Sequence, residues 1–257
     1  MTRFIYGFTA GFFAPLTGFR RLLSDSRLRA LAIIPLLISL ILGSFLTVTG
    51  IWWVATSIGA VSLELTSILG FDPSGYAPIV ILIFLWPMAL LVLGVAVYVS
   101  VRLVAAPFYS YLAEKTLVKL GTRHDTPFRA HEWVWLSLRM LLVSLLKSVL
   151  FCIAGVVLFV FSLVPILNIV AAIGFMHMIA FDISDYSFEA MEWPLARRIR
   201  HVRSHFVTYS GLAFGLGLLM MIPGLSLVLL PAAVVGASET LHRTLSRSGD
   251  SSAEELA

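Results

Sequence analysis

Four runs free of charged side chains set the pattern of this chain: 30–63, 73–101, 148–181 and 205–238. A helix crossing the ~30 Å hydrocarbon core of a bilayer takes about twenty residues. The first two runs each hold one such helix with room to spare, and they predict long spans over about 30–55 and 77–101. Pro35 suits a first-turn position, or a kink, in the first of them. The segment 57–76 predicts an exterior loop, with Glu64 and Asp72 as its only charges and Asp72-Pro73-Ser74-Gly75 as a turn signal. Trp52, Trp53 and Tyr76 suit the aromatic belt at a membrane surface.

The third and fourth runs are broken near their middles, by Pro165 and by Pro223-Gly224. Each arm is then about sixteen residues, roughly 25 Å of helix, short of a full crossing. All 18 lysines and arginines lie outside 30–101, and basic residues stay on the cytoplasmic side. A single crossing by the third run would put Arg197, Arg198, Arg200 and Arg203 outside. Both runs are therefore predicted as helical hairpins, about 148–181 and 205–238, entering from the cytoplasm and penetrating part of the membrane. Such re-entrant backbone needs burial in protein or a water-filled cavity. Their tips are alike, Leu163-Val164-Pro165-Ile166-Leu167-Asn168 and Met221-Ile222-Pro223-Gly224-Leu225-Ser226. Paired broken segments point to a transport path, though two ordinary tight turns account for them equally well.

Between the second and third runs, 102–147 carries seven basic residues and a break from Gly121 to Pro127. It predicts amphipathic helices at the cytoplasmic surface. The pattern as a whole is that of an all-α integral membrane protein, with two long transmembrane helices and two partly penetrating helical hairpins. It forms a single membrane domain over 1–245, with a disordered tail over 246–257 and both termini cytoplasmic.

Composition agrees. The chain has 257 residues, 59% of them hydrophobic and 12% charged, where a soluble domain carries about a quarter charged. The net charge of +4 reads as cytoplasmic-face bias, and no basic, aromatic-interleaved surface suggests nucleic acid. The one cysteine, Cys152, sits in an apolar run and excludes an intrachain disulfide. Residues 1–19 contain Gly7, Gly11, Pro15 and Gly18 and lack a compact apolar core with a cleavage site, so they are expected to be retained.

Catalytic patterns are missing. His131-Glu132 has no second histidine at zincin spacing, and no Gly-rich loop ends in Lys-Ser or Lys-Thr, so ATP-driven transport is not encoded. Neither an enzyme nor a cofactor is indicated. Asp182 and Asp185 are expected on a short loop at the membrane edge, and His177 as a packed histidine. What the chain supplies is cationic. Arg20, Arg21, Arg27 and Arg29 lie just before the first span, where Ser24, Asp25 or Ser26 is placed to cap its helix. An oxyanion there would meet free backbone N–H groups and guanidinium forks, although any inner-membrane anchor looks similar. Ser26, Arg27, Leu28 and Arg29 are the candidate anion-binding residues. Arg20, Arg21, Glu114, Asp185, Asn168 and Ser226 are candidate pore or network residues.

Several segments resemble the CysZ family of bacterial inner-membrane sulfate transporters, within the etoposide-induced-protein-like superfamily. They are Ala105-Ala106-Pro107-Phe108-Tyr109-Ser110-Tyr111-Leu112-Ala113-Glu114, Asp185-Tyr186-Ser187-Phe188, Met221-Ile222-Pro223, and Pro231 to Ala237. The resemblance implies two long transmembrane helices and two partly inserted hairpins. It also implies ATP-independent sulfate uptake for cysteine biosynthesis by a homo-oligomer, hexameric in the family. The family's sulfate motif is of Gly-Leu-Arg type, often with a second arginine. The matching positions here read Arg27-Leu28-Arg29-Ala30, which keeps one arginine and replaces the glycine and the other. A non-transporting membrane scaffold, with its arginines on phospholipid headgroups, is the alternative reading.

Overall fold

Three capping devices explain where the long helices begin and end. In this computed structural model, which describes residues 2–72, 74–124, 149–220 and 225–248, every regular element among the described residues is a helix. They are α1 (Thr2–Phe12), α2 (Ala14–Ser24), α3 (Ser26–Ile68), α4 (Ala77–Lys119), α5 (Val149–Ser162), α6 (Pro165–Ala190), α7 (Leu195–Ser204), α8 (Phe206–Met220) and α9 (Leu225–Ser248). Asp25 caps α3: its Oδ1 accepts from the N–H groups of Arg27 and Leu28 at 3.0 and 3.2 Å. Gly70 (φ 75°) closes α3, with Phe71 N–H donating to Thr66 O at 3.1 Å. Gly121 (φ 75°) closes α4 in the same way, with Thr122 N–H on Leu117 O at 2.9 Å. Both are Schellman ends, where glycine tolerates the left-handed backbone.

The third device is Val164, held extended (φ −101°, ψ 121°) before Pro165, which opens α6 in its first turn. The third charge-free run therefore breaks at the proline. Pro223-Gly224 and the segment 125–148, with Arg129, His131, Glu132, Arg139 and Lys147, lie outside the described residues, as does 249–257.

Several sequence expectations are corrected. α3 and α4 are 43 residues each, or about 65 Å, far longer than the spans at 30–55 and 77–101. Pro35 is the tenth residue of α3 rather than a first-turn residue. Glu64 rides on α3, so the connection to α4 shrinks from 57–76 to 69–76. Arg102 to Lys119 continue α4 rather than forming a separate surface helix. A charge marks where a helix leaves lipid, and does not end it. Asp182 and Asp185 lie on α6, which runs on to Ala190, and not on a loop.

The chain divides into two compact units. One, Leu37–Ala105, is the later part of α3 against the earlier part of α4, with the connection between them. These stretches run antiparallel, with Gly43 facing Val101 and Gly50 facing Leu93. Their outward faces expose large apolar side chains such as Ile41, Trp52 and Phe84. Surfaces of that kind are stable only with lipid as the solvent. Among the described residues, three helices are long and apolar enough to cross a membrane, α3, α4 and α6, and the molecule is an integral membrane protein.

The other unit, Met1–Leu36 with Ala106–Ala257, holds every candidate site residue. Glycines let its helices touch backbone to backbone. A Cβ at Gly11 would overlap the Thr208 carbonyl oxygen on α8, and one at Gly211 or Gly215 would overlap the carbonyls of Phe8 or Phe12 on α1. Gly18 on α2 and Gly236 on α9 meet the carbonyls of Ala232 and Ala14 in the same fashion. Without a hydrophobic drive between helices in lipid, such close approach supplies the packing energy.

Candidate functional site

The joint between α2 and α3 carries the arginines read from the sequence. α2 buries Ala14, Pro15, Gly18 and Leu22 and leaves Arg20 exposed. Arg21 makes an ion pair with Glu239, which also receives Arg243 at 3.4 Å. At the start of α3, Ser26, Arg27 and Arg29 are exposed. Arg29 Nη1 reaches back to the Leu23 carbonyl at 3.4 Å, across the joint. Leu28 is wholly buried and anchors the turn rather than facing an anion.

The helix end itself is partly occupied. The N–H groups of Arg27 and Leu28 donate to Asp25, and Lys119 Nζ forms an ion pair with the other oxygen of that carboxylate. The Lys119 ammonium, aided by those backbone N–H groups, holds the Asp25 carboxyl below the ordinary carboxylate range. A carboxylate thus stands where the sequence suggested free amides. The exposed polar side chains at this joint are those of Ser26, Arg27 and Arg29, beside a helix terminus that is not bare.

A second polar layer is deeper. α6 is apolar and exposed at Ile166, Ile169 and Val170, then polar and buried from Asp182 to Glu189. Asp182, Asp185 and Glu189 recur at helical spacing, so one face of α6 presents three carboxylates to the interior. Arg198 of α7 answers them: its Nη1 donates to Asp185 Oδ1 at 2.6 Å, and its Nε donates to the Trp193 carbonyl at 2.8 Å. The same Nη1 lies 3.8 Å from Glu189 Oε1, and Ser110 Oγ of α4 donates to Glu189 Oε2 at 2.8 Å. Below them, Ser187 and Ser238 share a buried hydroxyl contact at 2.9 Å. Ion pairs this deep persist only where geometry and further hydrogen bonds compensate for lost water.

His177 is packed: Nε2 lies 2.9 Å from Ser210 Oγ, Nδ1 2.8 Å from Ile173 O, and the ring stacks on Phe206. Glu114 is half-buried on α4 beside buried Ala113. Asn168 is exposed on the first turn of α6, and Ser226 stands in the first turn of α9. The structure brings Asp185 together with Arg198 and pairs Arg21 with Glu239. Sequence reasoning missed Ser110, Glu189, Ser238 and Glu239. The recurrence of Asp182, Asp185 and Glu189 on one helical face was the available signal.

Comparison with known proteins places this geometry. The family model described as Sulfate transporter CysZ/Etoposide-induced protein 2.4 matches residues 14–231, from α2 into α9. A "Sulfate transporter CysZ" of Pseudomonas fluorescens Pf0-1 is 28% identical over 166 residues, 60% of this chain and 65% of that protein. Its namesake in P. fluorescens Pf-5 is 30% identical over 146 residues, covering 53% and 57%. That of Pseudomonas paraeruginosa PA7 is 30% identical over 165 residues, covering 60% and 66%. The matches span less than two thirds of the length of these relatives. With the family model covering nearly all of the helical chain, this protein belongs to the Sulfate transporter CysZ/Etoposide-induced protein 2.4 family.

Proposed function

We propose that the protein carries sulfate across the bacterial inner membrane as an ATP-independent permease or channel, supplying cysteine biosynthesis. The observation that carries this reading is the family match, which includes Arg27, Arg29 and the buried Asp185–Arg198 pair. Relatives matched over more than half of this chain bear the name sulfate transporter. Arg29, with Arg27 and Ser26, takes the dianion at the joint; replacing its hydration demands strong, charge-assisted donors, which guanidinium supplies. Arg20 adds exposed positive charge nearby in sequence. Asp185, Arg198, Glu189, Ser110 and Glu114 form part of the internal polar network, and Asn168 and Ser226 mark the hairpin tips.

The hairpins α5–α6 and α8–α9 penetrate part of the bilayer from the cytoplasm, where both termini lie; α6 is long enough to cross, but only 165–181 of it is free of charge. At 15 residues α8 is about 22 Å long, short of the hydrocarbon core. Irregular backbone at Leu163 and Val164 is then sheltered by copies of the chain in a homo-oligomer. The test is uptake of labelled sulfate into proteoliposomes, beside empty liposomes and Arg29→Ala. Saturable, protein-dependent flux that falls in the variant supports the reading. Folded protein without flux overturns it, and unchanged flux in the variant removes Arg29 from the site.

A further inference from the structure

α7 has two faces of different chemistry. Its inner face carries Arg198, bound to Asp185 and the Trp193 carbonyl, and His201, whose Nε2 lies 3.0 Å from Thr244 Oγ1. These contacts fix the rotation of the helix. At about 100° per residue they turn Ile199, Arg200 and Arg203 to the other side and leave Leu195 on its flank. All four are exposed, Leu195 at 49% and Ile199 at 45%. The chain has no acidic residue from Trp193 to Ser238, and no ion pair joins Arg200 or Arg203 to a carboxylate among the described residues. No carboxylate among the described residues supplies their counter-charge.

The position of α7 in the fold says what supplies it. α6 changes from exposed and apolar to buried and polar as it approaches α7, and α8 restarts an apolar stretch at exposed Phe206. The two apolar arms touch each other, with the His177 and Phe206 rings 5.5 Å apart. α7 therefore links them at the end where both turn polar, which is the level of lipid headgroups.

We propose that α7 is a lipid-surface helix. Leu195, Ile199 and Phe206 enter the acyl boundary, and Arg200 and Arg203 bind the phosphates of anionic phospholipids. An apolar edge beside a cationic edge is the pattern of an interfacial helix. A soluble oxyanion would engage the arginines but leave the exposed leucine and isoleucine unexplained.

The test uses the full chain. A nitroxide placed by Ile199→Cys in a Cys152→Ser background, in phosphatidylcholine–phosphatidylglycerol vesicles, should be open to oxygen and shielded from a water-soluble nickel chelate. A water-exposed label overturns the proposal. Separately, native mass spectrometry of protein from mixed micelles counts retained phosphatidylglycerol against phosphatidylcholine. Arg200→Gln and Arg203→Gln should each lower that preference about fivefold, the factor expected of one arginine at an anionic leaflet. Unchanged preference in the double variant overturns the proposal, and so does displacement of phosphatidylglycerol by added sulfate, which would assign the arginines to a soluble anion. Sulfate flux enters neither readout, so the outcome is independent of the transport reading.

Discussion

Arg198 reaches from α7 into the protein to place its Nη1 2.6 Å from Asp185 Oδ1, a pair between helices in which both residues are buried. Removing one partner strands the other charge out of water. Arg198→Gln or Asp185→Asn is therefore expected to cost about 3–5 kcal/mol of stability. Thermal unfolding in detergent should show both losses. The double variant should be less damaged than the two losses combined, because no stranded charge remains; additive losses would show that the two side chains do not act as a pair.

The helix contacts made through glycine fail by a different route. Gly11→Ala and Gly18→Ala each push a methyl into a backbone carbonyl that has no flexible side chain to yield. Overpacking typically costs about 1–3 kcal/mol, and backbone clashes sit at the upper end. Gly59→Ala and Gly155→Ala, where nothing stands within 4 Å, are the matched controls and should be neutral or slightly stabilising. The yield of monodisperse protein after size exclusion separates the two groups.

Glu192 closes α6 with φ 57°, a left-handed conformation that glycine adopts more readily. Its side chain meets Arg123 at 3.0 Å but is itself largely exposed, so that contact contributes little. Glu192→Gly is expected to raise stability by a few tenths to about 1 kcal/mol. A lower unfolding midpoint in the variant would show that the Arg123 contact outweighs backbone strain.

Asp25 makes the start of α3 sensitive to acid. Lys119 and the capped N–H groups depress its carboxyl pKa in the folded state, so its contribution is complete above the unfolded value of about 3.9. That contribution is lost as pH falls through the folded value. For a partly exposed pair it amounts to at most about 1 kcal/mol. The unfolding midpoints of wild type and Asp25→Asn should differ at neutral pH and converge in acid. A constant gap would place the effect elsewhere.

The same substitution bears on the anion. Asp25 is a negative charge between Arg27, Arg29 and any sulfate at the joint, so Asp25→Asn should tighten sulfate binding roughly two- to fivefold, the range of one screened charge pair. Calorimetry on detergent-solubilised protein reads this directly, and weaker binding in the variant would mean that Asp25 orients the arginines more than it repels the anion.

The long helices were legible because lipid imposes a rule that composition records: charge-free runs of the right length. Pro165 was legible as a break for a similarly local reason, since it restrains the backbone of Val164. Helix ends were not legible at charges. Arg102 marks a change of solvent for α4, whereas Gly121, with its left-handed backbone, marks the end. The arginine joint was half legible. Arg27 and Arg29 are exposed where their sequence suggested, but of three candidate caps only the folded backbone singles out Asp25. Asp185 was expected at a loop because its partner, Arg198, belongs to another helix, and no local pattern reports a contact between elements. Gly7 and Gly11, four apart on α1, also spell a helix-packing face.

Those glycine contacts also impose an order on biogenesis. α1 docks on α8 and α2 on α9, so helices made early find their partners among those made last. At about 5–20 residues per second, some 200 residues of synthesis keep them waiting roughly 10–40 seconds. During that interval the glycine faces of α1 and α2 have no helix to close on. The translocon, a chaperone or the bilayer surface must hold them, and translation that stops before α8 leaves the arginine joint without the scaffold that positions it.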